Sequence, residues 1–83
     1  MSVIQELVAK ARTDLAAVAN VAEDQIEVVE TRYVEWRDAS LGCPEQGQMY
    51  AQVITPGYLI RLRADGQEYE YHTTLTAVKL CDE

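Results

Sequence analysis

Phenylalanine is absent from the 83 residues, and there are only one tryptophan, one histidine, two prolines, two cysteines and four glycines. Each scarcity excludes something. Gly42, Gly47, Gly57 and Gly66 are scattered singly, so no glycine-rich loop is available to cradle a phosphate. Any imidazole base, proton shuttle or ligand has to be His72. The cysteines form no C-x-x-C and one histidine cannot form H-x-x-x-H, so no zinc-binding spacing is present. No apolar run approaches the ~20 residues needed to span a bilayer, and Met1-Ser2-Val3-Ile4-Gln5-Glu6 lacks a basic leader and an apolar export core. A membrane partner is not expected, and a cytoplasmic location is. Basic residues are scarce as well: seven Lys and Arg against fourteen Asp and Glu give a net charge of -7. That field repels phosphate backbones and anionic lipids, so nucleic acid is not an expected partner either.

What is present suffices for one globular domain spanning 1–83. Hydrophobic residues at 48% and charged residues at 25% are ordinary for a folded chain and too apolar for a disordered one. Ser2 followed by Gln5 reads as a capping box. Ile4, Leu7, Val8, Ala11, Leu15 and Val18 then recur at helical spacing, with Glu6, Lys10 and Asp14 spaced for i,i+4 pairs and Asn20 as the stop. Residues 26–37, rich in Val, Thr, Tyr and Trp, predict a long strand; its alternation breaks near Glu30 and Arg32, as a bulge or an edge position would explain. Residues 39–47 predict a loop.

Asp65-Gly66 is a two-residue hairpin signal pairing Leu62 with Tyr69, Ile60 with Tyr71 and Tyr58 with Thr73 on one face, and Arg63 with Glu68 and Arg61 with Glu70 on the other. Pro56-Gly57 predicts a second, type II turn, pairing Val53 with Ile60, Ala51 with Leu62 and Met49 with Ala64. The expected class is α+β: an N-terminal helix packed on one face of a four-stranded antiparallel sheet, with Val78 and Leu80 as a possible short fifth strand or a packed tail.

On the uncovered sheet face this register gathers Ile54, Leu59 and His72 near the Pro56 turn, with Tyr50 nearby. Tyr50, Ile54, Pro56, Leu59 and His72 therefore form a candidate partner contact, unless a loop or the tail covers it. A second candidate is the loop carrying Trp36, Asp38, Ser40 and Cys43, whose polar side chains can also simply hold a turn. Cys43 and Cys81 are read first as buried free thiols in a reducing compartment, second as a disulfide closing a long loop if the chain is exported. A third reading is thiol or metal chemistry, with Cys43, His72 and Cys81 as three ligands and Asp38 or Asp82 as the fourth. A Cys43–His72 nucleophilic pair is unsupported, because Pro44-Glu45-Gln46-Gly47 reads as turn and places no helix N-terminus at the thiol.

Trp36, Asp38, Ser40-Leu41-Gly42-Cys43-Pro44, Gly47, Tyr50, Gln52-Val53, Thr55-Pro56-Gly57-Tyr58, Tyr71-His72-Thr73 and Cys81 together resemble a small bacterial domain family without an established activity. Some members follow export signals, which implies disulfide-paired cysteines there. Gln52-Val53-Ile54-Thr55-Pro56-Gly57 is also similar to the Gln-x-Val-x-Gly hairpin of cystatins, with one residue too many and an extra strand and loop before it. That similarity implies cysteine-protease inhibition, with Pro56 and Gly57 in the wedge and Trp36 nearby. No catalytic, cofactor or metal motif is recognised. The expected function is a non-enzymatic binding or regulatory module acting through an unknown protein partner or self-association.

Overall fold

Ser2 caps the first helix as its spacing predicts: the Gln5 amide donates to Ser2 Oγ at 3.3 Å, and the Ser2 amide donates to Gln5 Oε1 at 3.1 Å. In a computed structural model that describes residues 2–81, helix α1 spans Val3–Ala19 and ends at Asn20, whose left-handed φ of 56° closes it. Leu7, Ala11 and Leu15 are fully buried, and Ile4 and Val8 pack beside them. Val18, expected in the same stripe, is exposed, and at this end of the helix Ala16 and Ala19 make the core contacts instead. Among the described residues Lys10 forms an ion pair with neither Glu6 nor Asp14. Lys10 Nζ donates to the Thr76 carbonyl and Asp14 accepts from the Tyr71 hydroxyl at 2.7 Å, so both tie helix to sheet.

A short 3-10 turn, Glu23–Gln25, leads into β1 (Ile26–Trp36), followed by β2 (Thr55–Ala64), β3 (Gln67–Thr73) and β4 (Val78–Leu80). They form one antiparallel sheet in the order β1-β2-β3-β4. The β2–β3 register is the one that Asp65-Gly66 predicts, with Leu62 opposite Tyr69, Ile60 opposite Tyr71 and each Arg opposite a Glu. Ile60, Leu62, Ala64 and Tyr71 face the helix and, with Ile26, complete the main core.

The predicted Pro56-Gly57 turn is absent. Both residues lie inside β2, Pro56 opposite Glu35 and Gly57 opposite Val34, so the expected pairs of Val53, Ala51 and Met49 do not form. Gly57 is not among the positive-φ glycines that a type II turn requires. Pro56 fits a strand because its missing N–H is on the β3 side: the amide of Tyr58, of the same parity, donates to Thr73 Oγ1, and β3 ends at Thr73. The four-stranded count is completed by β4 rather than by residues 49–54, and the cystatin-like hairpin has no counterpart at Pro56 and Gly57.

The irregularity in β1 is a bulge, with the register shifting between Val28 and Glu30. Ile26 and Val28 face the helix before it; after it Thr31 and Tyr33 do, and Val34 and Trp36 turn to the opposite face. One extra residue thus delivers Trp36 to the side of the sheet that the helix leaves bare.

Candidate functional site

That opposite face carries two kinds of surface. Over β1–β3 it is a charge lattice: Arg63 lies between Glu27 (3.4 Å) and Glu68 (2.7 Å), and Arg61 between Glu30 and Glu70 (3.2 Å). Around Leu59, His72 and Trp36 it is apolar and buried, because the chain between β1 and β2 folds back over it. The loop is built locally. The Ser40 amide and hydroxyl both donate to Asp38 Oδ1, which holds the Asp38 carboxyl below the usual range, the hydroxyl contributing most. Leu41 takes a left-handed φ of 60° and buries its side chain against Trp36 and Leu59. A methyl group on Gly42 would meet the Trp36 ring at 3.1 Å, so the backbone here lies close against the indole.

Trp36 stacks on His72 with centroids 4.4 Å apart and planes 19° from parallel, and its Nε1 donates to the Thr73 carbonyl at 2.9 Å. His72 sits between two acceptors, the Leu41 carbonyl at Nδ1 and Glu70 Oε1 at Nε2, both at 2.7 Å. A carbonyl can only accept, so the Nδ1 contact is an N–H donation from the ring to Leu41. The His72 contact holds the Glu70 carboxyl below its ordinary value against the opposing effect of burial, with Arg61 assisting.

Cys43 and Cys81 are joined in a disulfide, Cα to Cα 5.8 Å. This corrects the free-thiol expectation and removes the thiol and metal alternative: each sulfur is bonded to the other, and among the described residues no group of three or more His, Cys, Asp or Glu is placed to hold a metal ion. Asp82, the suggested extra ligand, lies outside the described residues. Lys79 reinforces the bridge by donating to the Cys43 carbonyl at 2.8 Å, with Glu45 at 3.6 Å and the Tyr50 ring beneath its charge at 5.8 Å. A shallow depression of about 410 Å³ lies between the disulfide and the His72–Glu70 pair.

The two candidate sets are therefore regrouped. Trp36, Asp38, Ser40 and Cys43 are brought together with Leu59 and His72, which are 6% and 7% exposed beneath the loop. Tyr50 and Pro56 are half-buried at the loop's margin and Ile54 is exposed. Sequence reasoning paired Glu70 with Arg61 alone; its second partner His72 is two residues on in the same strand, a same-face spacing that could have revealed it. Met49 and Val53, assigned to a strand, are exposed loop residues instead. Lys79 carried no usable signal, because three-residue β4 has no turn motif to set its register.

A helix on a four-stranded antiparallel sheet, backed by a loop stapled through one disulfide, defines a small two-sided α+β domain. Within that class the chain belongs to DUF8738, a family described as a domain of unknown function, whose model matches residues 8–81. No curated protein and no solved structure matches the chain. No helix among the described residues is long and apolar enough to cross a membrane.

Proposed function

We infer that the domain is a non-enzymatic binding or regulatory module, acting by protein–protein contact in an oxidising compartment, with recognition carried by the loop between β1 and β2. The observation that carries this reading is the exposure of Met49, Val53 and Ile54, at 97%, 55% and 61%, within six residues of a single loop. Such side chains gain nothing from the fold where they stand. The loop that presents them is anchored by the disulfide, by the Ala39 amide bonded to the Ala51 carbonyl and by Tyr50, whose hydroxyl accepts from the Glu45 amide. A pre-anchored loop loses little conformational entropy on binding, which favours recognition over self-packing. Tyr50 and Pro56 are half-buried neighbours of the patch in sequence, and Leu59 and His72 are buried beneath the same loop at Leu41.

The oxidising compartment is favoured by the disulfide, since reducing compartments keep such cysteines as thiols. The test is a native pull-down with the parent chain and a Met49→Ser/Ile54→Glu variant. A retained protein lost by the variant, with its thermal unfolding unchanged, supports the reading; equal retention by both chains rejects it.

A further inference from the structure

Beyond the loop, β1 has a free edge. It is the first strand of the sheet, and among the described residues no backbone hydrogen bond outside the β1–β2 ladder engages residues 27–36. Which groups are free follows from β2. The Tyr58 amide turns toward β3, and Pro56, of the same parity, has none, so the β1 residues opposite Pro56, Tyr58 and Ile60 turn their own amides and carbonyls outward. These are Glu35, Tyr33 and Thr31. Val29 and Tyr33 on this strand are also 37% and 53% exposed.

We propose that this edge pairs antiparallel with the same edge of a second copy of the chain, centred on Thr31, giving one continuous sheet through both protomers. Charge selects the centre. Glu30 and Arg32 share the face away from the helix, and a two-fold axis at Thr31 sets each Arg32 opposite Glu30 of the second copy, twice. An axis at Arg32 opposes two arginines, one at Glu30 opposes two glutamates, and one at Tyr33 sets Arg32 opposite Val34. Tyr33, 53% exposed, lies two residues from the Thr31 axis on the helix side. Glu27 and Glu35, equally far from the axis, fall on opposite faces of the sheet because the bulge lies between them, so they do not oppose one another. The Arg32 side chain is 60% exposed, and among the described residues its one ion pair is the long contact to Glu30 at 3.9 Å, which leaves it available. The bulge at Val29 ends the flat stretch and confines pairing to a short segment, so the contact is a weak one.

Sedimentation of the full chain from about 10 micromolar to about 1 millimolar covers the range in which such small interfaces form. A reversible dimer is expected, and a monomer throughout overturns the proposal. Arg32→Glu alone and Glu30→Lys alone each place like charges across the axis twice and weaken the dimer by about tenfold or more. Mixed together, the two variants place a negative side chain opposite a positive one at both positions, so a heterodimer of near-parental strength is expected. Failure of the mixture to associate overturns the register, even if each variant is correctly folded by circular dichroism. An Arg32→Glu chain that dimerises like the parent, while Ile54→Glu does not, puts the contact on the loop and overturns the edge while leaving the loop reading intact.

Discussion

A methyl group on Gly57 would lie 1.7 Å from the Thr73 carbonyl oxygen, the same oxygen that accepts from Trp36 Nε1. Neither contact can yield without separating β2 from β3 or Trp36 from His72, so Gly57→Ala should cost about 3 kcal/mol or more in urea denaturation. Gly47→Ala is the control: its φ is 83° but open space surrounds it, so only the left-handed penalty of about 1 kcal/mol is expected. Glu70 supplies a second residue-scale test. Its carboxyl is held below the ordinary 4.5 by His72 and Arg61, so its contribution is complete above that value and is lost as pH falls through the lower folded value. The parent's thermal midpoint should therefore fall more steeply than that of Glu70→Gln below about pH 4.5. Equal slopes for the two chains would show that acid lability originates elsewhere.

Elements were legible in the sequence where a local signal had no competitor. The capping box at Ser2, the stop at Asn20 and the Asp65-Gly66 reversal depend on neighbours within a few residues, and the broken alternation of β1 marked its bulge. Pro56-Gly57 was misleading because the same dipeptide serves two purposes. As a turn it needs positive φ at glycine; here glycine is needed because a carbonyl from β3 approaches, a contact sixteen residues away that no local pattern records. The loop site was half legible for the same reason, since Trp36, Asp38, Ser40 and Cys43 stood out while their convergence on His72 depended on the bulge. Helix and sheet are also joined by a long-range bond, the buried Tyr71 hydroxyl donating to Asp14. Burial first, and Asp14 second, push the Tyr71 phenol well above its ordinary value. Tyr71→Phe leaves Asp14 solvated and keeps the ring, so a loss of about 1 kcal/mol is expected by urea denaturation, without change in the far-ultraviolet spectrum.

The whole molecule is a sheet with unequal covers. Among the described residues the helix side buries a hydrophobic core of eight residues, whereas the loop side buries three hydrophobic side chains, Trp36, Leu41 and Leu59, beside His72 and relies on the Cys43–Cys81 bridge. Closing a 38-residue separation removes enough unfolded-state entropy to be worth about 4 kcal/mol by the loop-closure relation. Without it, three apolar side chains, the His72–Leu41 bond and the Lys79 contacts to the Cys43 carbonyl and Glu45 must hold residues 37–54, which contain no strand or helix, against their own conformational entropy. The loop layer should then separate before the helix and sheet do. Trp36, the only tryptophan, lies in that layer and stacks on His72, so its fluorescence reports the loop while far-ultraviolet circular dichroism reports helix and sheet. In the oxidised chain the two urea transitions should coincide; in Cys43→Ser/Cys81→Ser the fluorescence midpoint should precede the circular dichroism midpoint. Coincident transitions in the variant would mean that Leu41, Leu59 and Trp36 bind the loop to the sheet as cooperatively as the helix is bound, and that the bridge adds stability without defining a separate layer.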